Sequence, residues 1–587
     1  MTRRTKLCRA AAFLFPILIV SAQSGANVYV QHNLVSDVPG MADITDPNLV
    51  DPWGMSFSTG SPFWVSNHGK GNTTLYNDSS TGGITITALV VTIPSGSKGP
   101  AVSVPTGQVQ NNTTGFVLPG GKAASFIFAT EDGTISAWNA GAASTVMIDN
   151  SPAGTVYKGL AIGNGSAGPL LYAANFSYGT IDVVNTNFQL TSVAGGFIDP
   201  NLPPGYAPFN IWNINGSLYV TYAVQNAAKN EDVQAVGNGV VDVFDLNGNL
   251  LQRLTSGGPL DSPWGVAVAP ANWGAFGGAV LVGNFGNGQV NAFNAKTGAL
   301  LGALQGSNGT PISIQGLWAI EFGNGSSGGD KNFLYFTAGI FVNGVQHGLL
   351  GSLAPPAQVT GVLNGASVAA GSIAPGETLA LTGFSIGPRP AVSQTTATPL
   401  TTLGGTSVTI NGTAVPVLYT QADQTNIIVP WGITGTTATI VVTSGTTTAT
   451  TTVPIAATAP GIFTTGATGS GASLALNQDG TINSATNAAA AGTVVVFYVT
   501  GLGLTDPPGQ DGAISSDTVI AEALAKVTAT IGGQAAQMVF AGAAPGFVSC
   551  VMQVELVVPT GAGTGAVPVV ITAGTANSAT GVTVSLK

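Results

Sequence analysis

Apolar and polar positions alternate in short runs along most of this chain, and clusters of Gly, Asn, Ser and Asp separate the runs. Residues 280–294, VLVGNFGNGQVNAFN, are typical: an apolar strand, a glycine turn, then an alternating strand. A period of two with turn residues at the breaks predicts β-hairpins.

The hairpins recur at long range. DPWGMSFSTGSPFWVSNHGKGNTTLYN at residues 51–77 returns as SPWGVAVAPANWGAFGGAVLVGNFGNGQVNAFN at 262–294, and related stretches begin at Ala124, Tyr157, Phe209 and Gly316. Each of these six units has an apolar first strand, a turn, a second strand rich in aromatic and β-branched residues, another turn and an alternating third strand. Gly54, Gly159, Gly265 and Gly316 fall near multiples of one period, which is the length of a four-stranded propeller blade. One such sheet cannot bury both faces, so the units are expected to stack around an axis. The last unit stops after three strands, while NVYVQHNLVSD from Asn27 has a strand pattern and no unit of its own. The N-terminal strand is therefore expected to complete the sixth blade and remove an exposed edge.

Beyond the uncharged SLAPPAQVTG the sequence repeats with different content. LTGFSIGP from Leu381 matches VTGLGLTDP from Val499, VTINGTAVPVLY from Val408 matches TATIGGQAAQMVF from Thr528, and QTNIIVP from Gln424 matches QVELVVP from Gln553. The expected fold is all-β: a signal peptide at 1–22, a six-bladed β-propeller at 23–355, and two Ig-like β-sandwich modules at 356–460 and 461–587, the second opening with a linker strand region.

Composition fits this reading. Only 7% of residues are charged, against roughly 25% in average soluble proteins, and the abundant Gly, Thr and Val suit strands and turns. A formal charge of −10 and a pI near 4.6 exclude nucleic-acid binding by counterion release, which needs clustered Lys and Arg. The start, MTRRTKLCRAAAFLFPILIVSAQSGA, has a basic region, an apolar run at residues 11–20 and a small-residue cleavage pattern ending at Ala22. It reads as an export signal, the run being shorter than the about 20 residues a spanning helix needs. No membrane span is expected after cleavage, and the mature protein is expected outside the cell or at its surface. Cleavage removes Cys8 and leaves Cys550 alone, which excludes an intramolecular disulfide.

The repeats resemble NHL-type six-bladed propeller units, with Asn67, Asn175 and Asn284 at the place of that motif's Asp. HNLVSDVPGMADITDPNLVDPWGMSF, FIFATEDGTISAWN, GNGVVDVFDLNGNLLQRL and LWAIEFGNGSSGGDKNFLYFTAG are similar to a family of secreted bacterial propeller-like proteins of unknown function, many with a PEP-CTERM tail. That tail has no counterpart here, so sorting by its route is not expected. PGETLALTGFSIGP resembles the TIG/IPT branch of Ig-like folds, and the region around APGIFTTGATGSGASLALNQDGTINSATNAA is similar to a C-terminal region of secreted acidobacterial proteins. These resemblances imply the fold and bring no chemistry.

Chemistry is sparse. The three histidines, His32, His68 and His347, form no HExxH or His-x-His pattern. GSSGG at 325–329 fits G-x-S-x-G but lies in a Gly/Ser loop, where the motif loses its meaning. NQDGTINS at 477–484 lacks the spaced carboxylates of a calcium loop and reads as a hairpin. Trp53, Trp264 and Trp318 fall on first strands and read as packing residues.

In a propeller the second-to-third strand connections emerge on one face. That face would carry Asn67 and His68, Glu131 and Asp132, Asn175, Gln225 with Glu231 and Asp232 on the longest loop, Asn284, and His347. Two readings stay open for the asparagines: hairpin chemistry, since Asn tolerates left-handed backbone, or a ring of ligand-binding groups. Glu231 and Asp232 are the candidate metal pair. No cofactor is expected; Ca²⁺ is the cation that pair would take. The leading expectation is an exported, non-catalytic binding protein engaging an extracellular glycan or envelope protein. The alternatives are a cation-dependent propeller hydrolase, lactonase or lyase, and a structural matrix component.

Overall fold

The computed structural model describes residues 27–79, 83–165, 168–271, 273–388, 391–445 and 447–587; the expected signal peptide lies outside them. The chain divides into two compact units, Ser24–Pro355 and Pro356–Lys587. Among the described residues it is all-β: there is no α-helix, only single 3₁₀ turns such as His68–Lys70, and no helix long and apolar enough to cross a membrane.

Ser24–Pro355 is built from sheets of four or five strands that follow one another along the chain, antiparallel except where the short Ile44–Thr45 pairs parallel with Val30–Ser36. Their opening strands are Pro52–Ser56, Pro105–Gln110, Tyr157–Gly165, Tyr206–Ile214, Pro263–Val268 and Leu317–Phe322. Each opening strand packs against that of the next sheet, and the last returns to the first. Sheets arranged radially in a closed ring are a β-propeller. The opening strands are mostly buried, Pro52–Ser56 entirely so, in keeping with their richer apolar content beside outer strands that alternate.

The last sheet is completed from the other end of the unit. Val30–Ser36 pairs antiparallel with Val345–Ala354, outside Leu334–Val342 and Leu317–Phe322. Ser36 donates its hydroxyl to Gly348 O at 2.8 Å, and the buried Tyr29 ring lies against Trp273, with centroids 4.5 Å apart. The N-terminal strand thus removes the free edge, as its unassigned strand pattern suggested.

Pro356–Lys587 holds two cores. The first lies between two sheets: Leu379, Leu381 and Ile427 from one meet Val408, Ile440 and Val442 from the other. The second, with Phe497, Val554, Ile571 and Val584, is enclosed by a single long sheet that begins at Gly461–Ile462 and includes Val582–Leu586. Trp431, from the first half, is buried in the second core, where its Nε1 donates to Ser549 Oγ at 3.3 Å. Cys550 is free and buried.

Candidate functional site

The ring carries one irregularity in every repeat. Each opening strand slips register against its neighbour, between Pro52 and Met55, Pro105 and Gln108, Tyr157 and Gly159, Pro208 and Asn210, Pro263 and Gly265, and Leu317 and Ile320. A bulge re-aims the residue it frees from the ladder. The freed residues are Trp53, Thr106, Lys158, Phe209, Trp264 and Trp318. The glycine that follows four of them is required by space, because a Cβ at Gly54, Gly107, Gly159 or Gly265 would strike the next opening strand.

Most of these side chains meet at the centre of the ring. Trp53 stacks on Trp318 at 3.5 Å and meets Trp264 edge-on at 6.4 Å, and Phe209 lies 6.0 Å from Trp318. Lys158 is the exception in chemistry. Its ammonium sits 5.2 Å from the Trp53 ring centre and 5.7 Å from that of Phe176, a cation–π placement out of water.

The residues one step past the paired ends of the second strands form the adjoining tier: His68, Glu131, Phe176 and Phe285. Together the tiers build a continuous charged chain. Trp318 Nε1 donates to Asp51 Oδ1 at 3.4 Å; Asp51 Oδ2 meets His68 Nδ1 at 3.0 Å; His68 Nε2 meets Glu131 Oε2 at 2.6 Å. The other Glu131 oxygen pairs with Lys158 Nζ, which also meets Glu231 Oε2 at 3.1 Å. Trp264 Nε1 donates to the Lys158 carbonyl at 3.1 Å, fixing the strand. The side chains grade from Lys158, fully buried, through Glu131 at 15% and His68 at 18% exposed, to Glu231 at 57%. The cluster therefore opens to solvent at Glu231.

Burial opposes charge on the His68 imidazole, but the Asp51 and Glu131 carboxylates overcome it and push it up to about 10. Burial also disfavours the Glu131 carboxylate, yet Lys158 and His68 hold it down at about 2. Lys158 is raised, its burial outweighed by Glu131 and Glu231. Burial raises Glu231, with Lys158 pulling the other way.

Of the ten candidate residues read from the sequence, His68, Glu131 and Glu231 are brought together here. Gln225 lies beside them, its Nε2 donating to Phe176 O at 2.5 Å. Asp232 adjoins Ser262 in the next sheet. The others serve local structure. Asn67 Nδ2 donates to Asn72 Oδ1 at 2.8 Å and Thr74 Oγ1 at 2.9 Å. Asn175 binds Asp182 at 3.0 Å and accepts from Ser177 Oγ at 3.1 Å. Asn284, fully buried, donates to Pro259 O at 2.8 Å and Asn287 Oδ1 at 3.1 Å. Asp132 accepts from Gly96 N at 2.7 Å, and His347 meets Asp37 at 2.7 Å. Among the described residues, no three His, Cys, Asp or Glu side chains are placed to hold a metal ion.

Sequence reasoning missed Lys158 and Asp51. A signal for Lys158 exists: aligned on the following glycine, Trp53-Gly54, Thr106-Gly107, Lys158-Gly159 and Trp264-Gly265 place one cation among neutral residues. Asp51 is marked only by its partners, His68 of its own sheet and Trp318 of the last one.

Fold and site thus define a β-propeller protein with a charged cluster at the centre of its ring. The chain belongs to the family of uncharacterized protein R648 of Acanthamoeba polyphaga mimivirus, to which it is 33% identical over 338 residues, 54% of this chain and 78% of that protein. Uncharacterized protein L690 of the same virus is 31% identical over 337 residues, 54% of this chain and 84% of its own length. No family model matches. Among solved structures, a streptogramin B lyase aligns with 12% identity and a TM-score of 0.28, covering 55% of this chain and 96% of the lyase. The PQQ-bound aldose sugar dehydrogenase of Streptomyces coelicolor aligns with 14% identity and a TM-score of 0.31, covering 56% of this chain and all of that one. Likenesses this distant carry no chemistry across.

Proposed function

We propose that this is an exported, non-catalytic binding protein: a six-bladed propeller head on two Ig-like modules, whose central mouth engages an extracellular glycan or envelope protein. The observation that carries the reading is the locked state of the cluster. A general acid or base works best with a pKa near the operating pH, whereas His68 is held near 10 and Glu131 near 2. Both stay ionised through neutrality and act as fixed charges. The group left for a ligand is Glu231, half exposed on the long loop at residues 225–239. Loops held on a rigid scaffold are where binding groups concentrate.

The test is retention of the full chain on immobilised envelope polysaccharides and envelope protein fractions, wild type beside Glu231→Gln. Retention that falls in the variant at unchanged melting temperature supports the proposal. Turnover of lactone or ester substrates by the wild type, abolished in Lys158→Met folded to the same far-UV spectrum, would establish the enzyme reading instead.

A further inference from the structure

The ionised groups of the mouth alternate in contact order: Asp51, His68, Glu131, Lys158, Glu231. Each inner carboxylate has a donor on both sides, Asp51 between Trp318 and His68, and Glu131 between His68 and Lys158. Glu231 is different. Its Oε2 meets Lys158 at 3.1 Å, and among the described residues nothing pairs with its Oε1. With His68 and Lys158 charged, the chain holds three carboxylates against two cations, and the excess negative charge falls at the one member open to solvent. The alternation stops one cation short.

The backbone that carries this carboxylate is held firmly. Asn226 N donates to Glu231 O at 2.8 Å and closes a tight turn in which Lys229 takes left-handed backbone, with φ of 57°. Gln225, at the foot of the turn, donates to Phe176 O and bridges to Asp232. Glu231 and the Phe176 ring flank the same ammonium, that of Lys158. Two residues beyond Phe176, Tyr178 donates its hydroxyl to Ala153 O at 2.8 Å yet stays 58% exposed. A tyrosine tied by its hydroxyl has given up ring freedom beforehand, so it offers a flat apolar face to a partner at low entropic cost.

We propose that the mouth binds an unacetylated amino sugar, its ammonium pairing with Glu231 as the next cation of the chain and the C–H face of its ring lying on Tyr178. The inference rests on the binding reading above and names its ligand class. Electrostatic complementarity selects a cation over an anion or a neutral N-acetyl group, and an ammonium beside an aromatic face gains a cation–π contribution. One open carboxylate and one fixed ring match a single sugar unit. A basic protein segment would call for several carboxylates in a row, which a chain with only 7% charged residues supplies sparingly.

The full chain is titrated calorimetrically at pH 7 with a glucosamine tetramer, its N-acetylated counterpart and a lysine tetramer, beside Glu231→Gln and Tyr178→Ala. The expected result is saturable binding of the glucosamine tetramer, weakened about tenfold or more in each variant as a charge-assisted hydrogen bond or an aromatic contact is lost. The N-acetylated tetramer should give no measurable binding. Both substituted residues are exposed, so the variants should melt with the wild type. Glucosamine binding unchanged in Glu231→Gln, or equal binding of the N-acetylated tetramer, overturns the proposal. A lysine tetramer bound more tightly than the sugar assigns the site to a basic protein and overturns it equally. Where the full chain retains envelope polysaccharide or protein but not glucosamine, the ligand class fails and the binding reading stands; where it retains none of them, both fail.

Discussion

Lys158 and Glu131 form a buried ion pair across two neighbouring sheets, with the ammonium also facing Trp53. Breaking such a pair from one side leaves a charge without compensation and costs about 3–5 kcal/mol. Lys158→Met should therefore lower unfolding free energy by about that amount. Adding Glu131→Gln should recover only part of the loss, because the carboxylate it removes also pairs with His68. Urea denaturation of both variants checks this; equal stability of single and double variants would refute the coupling.

The same cluster sets a pH window. His68 is raised from an ordinary 6.5 to about 10, so its contribution is full below about 6.5 and disappears as pH climbs through 10. Glu131 is lowered from an ordinary 4.5 to about 2, so its contribution is full above about 4.5 and disappears as pH falls through 2. Melting temperature followed against pH should decline on both sides of this interval, and His68→Gln should flatten the alkaline limb between 6.5 and 10.

Glu321 supplies a contrasting case. Its Oε2 is buried without a hydrogen-bond partner, and burial lifts the carboxyl from an ordinary 4.5 to about 8. The unfolded chain ionises it first, so stability is lost as pH rises from 4.5 to 8 and stays lost above. Glu321→Gln should raise the melting temperature at pH 9 and leave it nearly unchanged at pH 4; the same gain at both would point to packing instead.

Closure of the ring predicts a large effect from a small deletion. Removing residues 23–37 takes away the strand paired to Val345–Ala354 and the Tyr29 ring against Trp273. The melting temperature should fall by at least about 5 °C, corresponding to a few kcal/mol for a unit of this size. An unchanged melt would refute closure by this strand.

Trp431 couples the two cores of Pro356–Lys587. Its backbone N–H reaches Asp511 Oδ1 at 2.8 Å and its indole reaches Ser549. Trp431→Ala should cost about 3–5 kcal/mol and divide one calorimetric transition of this unit into two. A single transition in the variant would show the cores coupled by other contacts.

The class of fold was legible in the sequence because it rests on local, repeated physics. Alternation encodes strands, Gly/Asn clusters encode turns, and a long period encodes stacked sheets, each within a few dozen residues. The spare strand pattern before the first repeat and the missing strand of the last even pointed to the closure between Val30–Ser36 and Val345–Ala354. The candidate site was legible in part. His68, Glu131 and Glu231 could be placed on one face by symmetry, but so could Asn67, Asn175 and Asn284, and sequence offered no way to separate them. Tertiary structure separated them by register: the asparagines end the paired strands and bond to nearby turns, Asn284 also to Pro259 O, while the next residue turns inward. It also brought in Lys158, through a bulge that shows in the sequence only once the repeats are aligned on the following glycine, and Asp51, which joins His68 of its own sheet to Trp318 of a sheet far along the chain. Strand, turn and repeat follow from neighbours along the chain; which charges meet, and which oxygens are left without a partner, follows only from the packing of distant strands around one axis.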